Sequence, residues 1–326
     1  MRPDLHEWSI QEAISVVEQA ATLAARPLGR TGLTVTPIAV GCAALGGLAQ
    51  YFGYDVSIET ALDTVRSAFG GPFNLLDTAP IYADSERRMG LVLRELGGVP
   101  PGFVVSTKAD RDPETGDFSG NQVRRSIRTS LDRLGLDRLQ LVFLHDPEYG
   151  SFEQVTGRGG AIEALLELQE QGVIEHIGLA GGPIDLLIRY LDMGLFSVVI
   201  THNRFTLVDR SAVPLLEVAK GYGIAVVNAA PYGSGILAKG ADAHPLYRYE
   251  RASPDTMRRV RQAELVARFY DVPLAAVALQ QSLKEPRITS TIVGMSRPER
   301  IEETRRLATL LIPNELWSKL QQGIGR

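Results

Sequence analysis

Four side chains in this sequence are placed so that proton chemistry becomes possible: Asp77, Tyr82, Lys108 and His145. Asp77, Lys108 and His145 each close a short apolar run, and Tyr82 follows Asp77 by five residues in the loop after it. A tyrosine is a poor acid or base at neutral pH, its ordinary pKa being near 10. An ammonium beside it favours the phenolate, and a carboxylate behind the lysine keeps that lysine charged. Lowering a phenol by about three units takes roughly 4 kcal/mol of differential stabilisation, within reach of a poorly solvated lysine. A histidine alongside orients a substrate oxygen or shares the proton. Taken singly, a strand-end Asp is as easily a helix cap and a strand-end Lys as easily reaches solvent. Taken together, four ionisable residues on three neighbouring strand ends are hard to explain as packing, because buried Lys and Asp are rare unless paired.

The elements that must hold them recur along the chain. Apolar, β-branched runs fall at Val35–Gly41, Phe73–Asp77, Phe103–Lys108, Leu139–His145, Val173–Leu179, Phe196–Thr201, Ile224–Asn228 and Ile288–Gly294. Amphipathic stretches such as Asn121–Leu134, Ala161–Gln171 and Ser211–Gly221 lie between them. Each run reads as a buried parallel strand and each stretch as a crossover helix. Eight such units fit an α/β fold, a (β/α)8 TIM barrel occupying residues 27–326 as one domain. An open dinucleotide-binding sheet would want G-x-G-x-x-G after its first strand, and Val40–Gly47 lacks it. Arg30-Thr31-Gly32-Leu33 reads as a hairpin turn ahead of strand one, capping the barrel floor.

Residues 1–26 read as an extra N-terminal helix. Ser9 and Glu12 fit a capping box, and Ile10, Ala13, Val17, Ala20 and Leu23 recur at helical spacing. Gln11, Glu12, Glu18 and Gln19 interrupt what a secretory segment would keep apolar. Such a helix packs on the barrel or on a second copy, which leaves a homo-oligomer open. The balance of 34 Lys+Arg against 38 Asp+Glu, net −4, offers no basic field for nucleic acid or anionic lipid. One cysteine, Cys42, excludes a disulfide framework and a Cys-rich zinc or iron–sulfur site. No apolar run is long enough to span a membrane. The expectation is a soluble cytoplasmic enzyme or small-molecule binder. A set that moves protons on a hydroxyl or carbonyl, with no strong nucleophile and no metal site, pairs naturally with hydride transfer to a nicotinamide.

From about Pro27 onward the chain resembles the aldo-keto reductases. The resemblance is carried by Leu76-Asp77-Thr78-Ala79-Pro80-Ile81-Tyr82-Ala83-Asp84-Ser85-Glu86, Ser106-Thr107-Lys108 and Leu144-His145-Asp146-Pro147. Arg125-Ser126-Ile127 to Leu134-Gly135-Leu136-Asp137, Gly172 to Gly178, and Gly294-Met295-Ser296-Arg297-Pro298-Glu299 support it. It implies that Asp77, Tyr82, Lys108 and His145 form a catalytic tetrad with Tyr82 as general acid/base. Arg204-Phe205-Thr206-Leu207-Val208-Asp209, Tyr232 to Ala238 and Val272 to Gln280 are similar to a subgroup of aldose 1-dehydrogenases acting on L-fucose, D-threo-aldoses or L-galactose. Such enzymes oxidise the anomeric hydroxyl to a lactone with NAD or NADP.

The resemblance also locates cofactor positions, with departures. Members commonly hold the carboxamide with a Ser-Asn pair after strand five and a Gln on strand six; here Ala180-Gly181 and His202, with Asn203 beside it, stand in those places. Ala229 replaces the aromatic residue that often stacks on the ring. Tyr232, Gly233, Ser234, Gly235 and Leu237 make the expected pyrophosphate loop, a Gly/Ser turn offering N–H donors. Gly294, Ser296, Arg300 and Thr304 suit the adenosine end, where Arg300 argues for NADP over NAD while Gly294 and Thr304 depart from strongly NADP-selective members. The loop Lys239–Ser253 is expected over the mouth, with Tyr247 and the earlier Asp146 on the sugar. Three other readings stay open: a reductase of aldehydes, ketones or a keto-sugar, a non-catalytic cofactor-binding regulatory barrel, and a lyase forming a Schiff base on Lys108.

Overall fold

Every expected strand is present in the computed structural model, which describes residues 23–324. The barrel strands are β1 (Ile38–Gly41), β2 (Leu75–Asp77), β3 (Val104–Ala109), β4 (Leu139–His145), β5 (Ile174–Gly181), β6 (Val198–His202), β7 (Ala225–Ala229) and β8 (Ile288–Gly294). They pair in parallel in chain order, and β8 closes the ring between β7 and β1. β5, β6 and β7 run one or two residues beyond the apolar runs, so Gly181, His202 and Ala229 are strand ends rather than loop residues. The expected N-terminal helix lies outside the described residues for positions 1–22.

Alternation along each strand sorts side chains between two cores. Ala39, Leu75, Val104, Leu141, Phe143, Val198, Ile200, Ala225, Val227 and Ile292 form the interior cluster. Their neighbours Val40, Leu76, Val105, Val142, Leu144, Val199, Val226 and Val293 belong to the larger cluster between barrel and helices. The same parity, carried to the C-terminal end of each strand, sets Asp77, Lys108, His145, Ala180 and His202 on the inner face at one end. A strand of period two fixes this arrangement without any help from the loops.

The helices outside have ordinary caps. Gly120–Leu134 starts at Ser119, whose side chain accepts from the Gln122 N–H, and ends at Gly135 with φ 70°. At the opposite end, Arg26–Pro27 pairs antiparallel with Thr34–Val35. Leu28 and Val35 enter the interior cluster, and Arg26 donates to the Ile288 carbonyl at the start of β8. The hairpin expected from Arg30–Leu33 is therefore the barrel floor. Among the described residues, no helix is long and apolar enough to cross a membrane.

Candidate active site

β2, β3 and β4 bring three of the four expected residues together, and the loop after β2 adds the fourth. Lys108 Nζ donates to Asp77 Oδ2 at 2.7 Å and to the Thr78 carbonyl at 2.7 Å. The second Asp77 oxygen accepts from Ser106 Oγ at 2.8 Å. Lys108 is only 2% exposed, so this pair is a buried, hydrogen-bonded ion pair. Its Nζ lies 4.7 Å from the centroid of the Tyr82 ring, and the Tyr82 and His145 rings meet edge-on at 6.0 Å.

The loop carrying Tyr82 is pinned on several sides. Asp84 N–H donates to the Gly46 carbonyl, and Arg133 donates to the Pro80 carbonyl and to buried Glu86. Ile81 N–H donates to Asp110 Oδ2 at 2.9 Å. Asp110 is the residue that sequence reasoning missed. Its other oxygen bonds His145 Nδ1, and both groups are buried. Burial works against the charges, but His145, the Ile81 N–H and Lys108 hold the Asp110 carboxyl below its usual range. Burial likewise lowers His145, yet Asp110 and Asp146 outweigh it and leave the imidazole raised. The two form an imidazolium–carboxylate pair whose Nε2 side faces Asp146 Oδ2 at 3.7 Å.

One expectation reverses. Lys108 was to pull the phenol of Tyr82 down. Instead desolvation of the hydroxyl, then Asp77, Tyr249, Asp146 and Asp110, hold it well above its ordinary value. One ammonium already neutralised by Asp77 does not outweigh burial and the remaining carboxylates.

The cofactor positions are a mixed result. Ala180 and Gly181 are buried at the end of β5, and Glu148 from the loop after β4 fills the space beside them. His202 is half-buried at the end of β6, its Nδ1 3.4 Å from Asn203 Nδ2, and burial lowers its pKa. Gly233, Ser234 and Gly235 follow one another in left-handed conformations at φ 54°, 63° and 107°. However, the N–H groups of Gly233, Gly235 and Leu237 already bond the carbonyls of Ala230 and Tyr232. The Leu237 side chain is fully buried, so Leu237 has neither donor nor side chain to offer a ligand. Tyr232 Oη is buried with no partner among the described residues. Gly294 is exposed, Ser296 half-buried, and Arg300 pairs with Glu303 at 3.2 Å. Thr304 is only 2% exposed.

Tyr247 also requires correction as a sugar contact. Leu246–Tyr247 pairs with Glu250–Arg251 in a small hairpin whose turn residues Arg248 and Tyr249 have positive φ. That turn sends Tyr247 inward, where its hydroxyl donates to the Asn203 carbonyl and lies 3.0 Å from Thr206 Oγ1. Tyr249 stays exposed and near Asp146 and Tyr82. Cys42 is buried and its thiol pushed up by desolvation, as a packed residue should be.

The Tyr82 ring thus lies between the Lys108 ammonium, itself paired with Asp77, and the edge of the His145 ring. L-galactose dehydrogenase of Arabidopsis thaliana is 33% identical over 88% of this chain and 88% of its own length. D-threo-aldose 1-dehydrogenase of a Pseudomonas species is 29% identical over 89% of this chain and 94% of its own. A solved aldo-keto reductase from Bacillus halodurans in its holo form shares the fold, with TM-score 0.74 at 22% identity over 93% of this chain and 97% of that one. The profile of the aldo/keto reductase family matches residues 37–324, and the chain belongs to that family of NAD(P)-dependent oxidoreductases.

Proposed function

We propose that the protein oxidises an aldose, of the fucose, arabinose or galactose kind, at C1 to its lactone. The observation that carries this reading is the cluster of Tyr82, Lys108, Asp77 and His145 at the C-terminal mouth, beside the carboxylate of Asp146. The sugar dehydrogenases above supply the substrate class. Orphaned polar atoms at the mouth (Asp146 Oδ1, Glu148 Oε2 and Tyr232 Oη) fit a donor-bearing cofactor, which supplies hydride transfer when bound. Tyr82 takes the proton of the sugar hydroxyl, or returns it to a carbonyl. Lys108, ion-paired with Asp77, stabilises the phenolate from which oxidation starts and in which reduction ends, and His145 Nε2–H orients the substrate oxygen. Asp146 Oδ2 is placed to accept from a neighbouring hydroxyl. The Schiff-base reading loses its support, because Lys108 is ion-paired and closed off.

The raised phenol pKa favours a second reading, reduction of an aldehyde, ketone or keto-sugar, since the resting proton sits on Tyr82 ready for donation. For the cofactor we place NADP before NAD on Arg297 and Arg300. Both arginines are tied to Glu303, which a 2′-phosphate must displace. A plate of NAD and NADP against L-fucose, D-arabinose, L-galactose and D-glucose, with aldehydes in reverse, reads substrate and cofactor by reduced-nicotinamide absorbance. Turnover on aldehydes alone replaces the first reading by the second. Tyr82→Phe should lose at least roughly two orders of magnitude in kcat with cofactor affinity nearly unchanged. A variant with near-wild-type kcat removes Tyr82 from its role.

A further inference from the structure

Glu148 has no part in the proton relay, yet it is held in place at the mouth. Its Oε1 accepts from the Gly182 N–H at 2.9 Å. A Cβ at Gly181 would stand 2.9 Å from Oε2, and one at Gly182 would stand 3.2 Å from Oε1. Side chains at those two positions would thus displace Glu148; their absence is what admits it. Its Oε2 is buried and has no hydrogen-bond partner among the described residues, and Asp146 Oδ1 is in the same condition. An unpaired buried acceptor is costly, and a donor-bearing ligand group removes that cost. Ligand atoms of Asp146, Glu148 and His202 all lie within 4.8 Å of one another.

The polarity of this group is specific. Asn203 Nδ2 is turned to His202 Nδ1 at 3.4 Å, which suits the tautomer carrying its proton on Nε2, 3.9 Å from Asp146 Oδ1. Two acceptors and one N–H donor then face a common space. A primary carboxamide is the complement, having two N–H donors and one carbonyl acceptor. A bare cation is served less well, because His202 would have to give up its Nε2 proton. A sugar hydroxyl, being both donor and acceptor, gains nothing from the pattern.

We propose that Glu148, with His202 and Oδ1 of Asp146, is the anchor for the nicotinamide carboxamide, taking over from side chains that Ala180 and Gly181 cannot supply. Burial and the Asp146 carboxylate raise the Glu148 carboxyl, a penalty on its charge that the cationic oxidised ring relieves and the neutral reduced ring does not. Titration of the full-length protein with oxidised and with reduced cofactor, followed by fluorescence or calorimetry without substrate, tests this whether or not a sugar is the substrate. Glu148→Ala should weaken both forms by roughly ten-fold or more. Glu148→Gln keeps the shape and an acceptor while losing the charge, so it should weaken the oxidised form more than the reduced one. If Glu148→Ala does not fold, the isosteric Gln variant carries the test through that change in ratio. Wild-type affinity for both forms in the variants would overturn the proposal, and a raised sugar KM in the same proteins would reassign Glu148 to the substrate. Tighter binding of the oxidised form to Glu148→Gln would overturn it as well.

Discussion

At the scale of single residues, the pair formed by Asp110 and His145 decides how the site responds to pH. His145 is raised, so its contribution to stability is complete below the ordinary histidine value of about 6.5 and is lost as pH climbs through the raised value. Asp110 is lowered, so its contribution is present above about 3.9 and is lost as pH falls through the lowered value. Between those limits the imidazolium persists and His145 Nε2 stays a charged donor. Asp110→Asn removes the carboxylate that offsets burial, so the His145 pKa drops. The expected result is a kcat/KM at pH 7 reduced by roughly ten- to a hundred-fold, with the alkaline limb of the pH profile moved to lower pH. Cofactor affinity should hold. An unmoved limb would mean that His145 works neutral. Asp77, Lys108 and His145 were legible in the sequence because each ends an apolar run and strand parity turns it inward. Asp110 shares that parity two residues past Lys108, a signal that was there to use. Glu148 and Tyr247 were not legible, because their direction depends on how a loop turns back, and no periodicity records that.

At the scale of elements, the Tyr82 loop is shaped from outside. The short turn after β1, Ala43–Gly46, lies directly against it. A Cβ on Gly46 would come within 1.9 Å of the Tyr82 carbonyl oxygen, an impossible contact with backbone. Gly46→Ala must therefore push the loop and its phenol away from Lys108 and His145. A displacement of about 1 Å at a reacting group can cost on the order of a hundred-fold. The expected outcome is a kcat lowered by at least about ten-fold, with the Asp77–Lys108 pair intact, and steady-state kinetics on the folded variant would show it. A variant with normal kcat would mean that the turn, rather than the Tyr82 loop, gives way. Elements of this kind divide by what determines them. The eight strands follow from burial on both faces, and their crossover helices from one apolar stripe, so both were readable. The Lys239–Ser253 stretch was expected as a loop over the mouth; it carries its own hairpin, held by Tyr249 N–H to Ser234 Oγ at 2.9 Å and by the Arg248–Asp209 pair. Those contacts are long-range, and local pattern does not encode them.

The whole molecule separates its two tasks along the barrel axis. Ionisable groups gather where the strands end, and the floor is closed by a hairpin that turns Leu28 and Val35 into the interior. The separation implies that stability can be removed at the floor without touching the mouth. Gly29 is the position at which to try it. Its φ is +57°, and a Cβ there would meet the Ser197 carbonyl oxygen at 2.8 Å and the Ala225 nitrogen at 2.9 Å, both backbone atoms at the entry of β6 and β7. Gly29→Ala therefore combines left-handed strain with a clash that no side-chain rotation relieves, and should cost about 2–4 kcal/mol. For a chain of this size that lowers Tm by roughly 3–6 °C. Gly32 in the same turn has φ +75° but open space around it, so Gly32→Ala should cost only about 1 kcal/mol from strain alone. At 25 °C both variants should keep kcat/KM within about two-fold of the parent, since Tyr82, Lys108 and His145 sit at the far ends of their strands. Paired calorimetry and kinetics decide the point. Equal stability losses in the two variants would mean that backbone strain, not the clash at the floor, sets the cost. A kcat/KM that falls with Tm in Gly29→Ala would show that the interior layers pass a distortion of the floor up to the mouth.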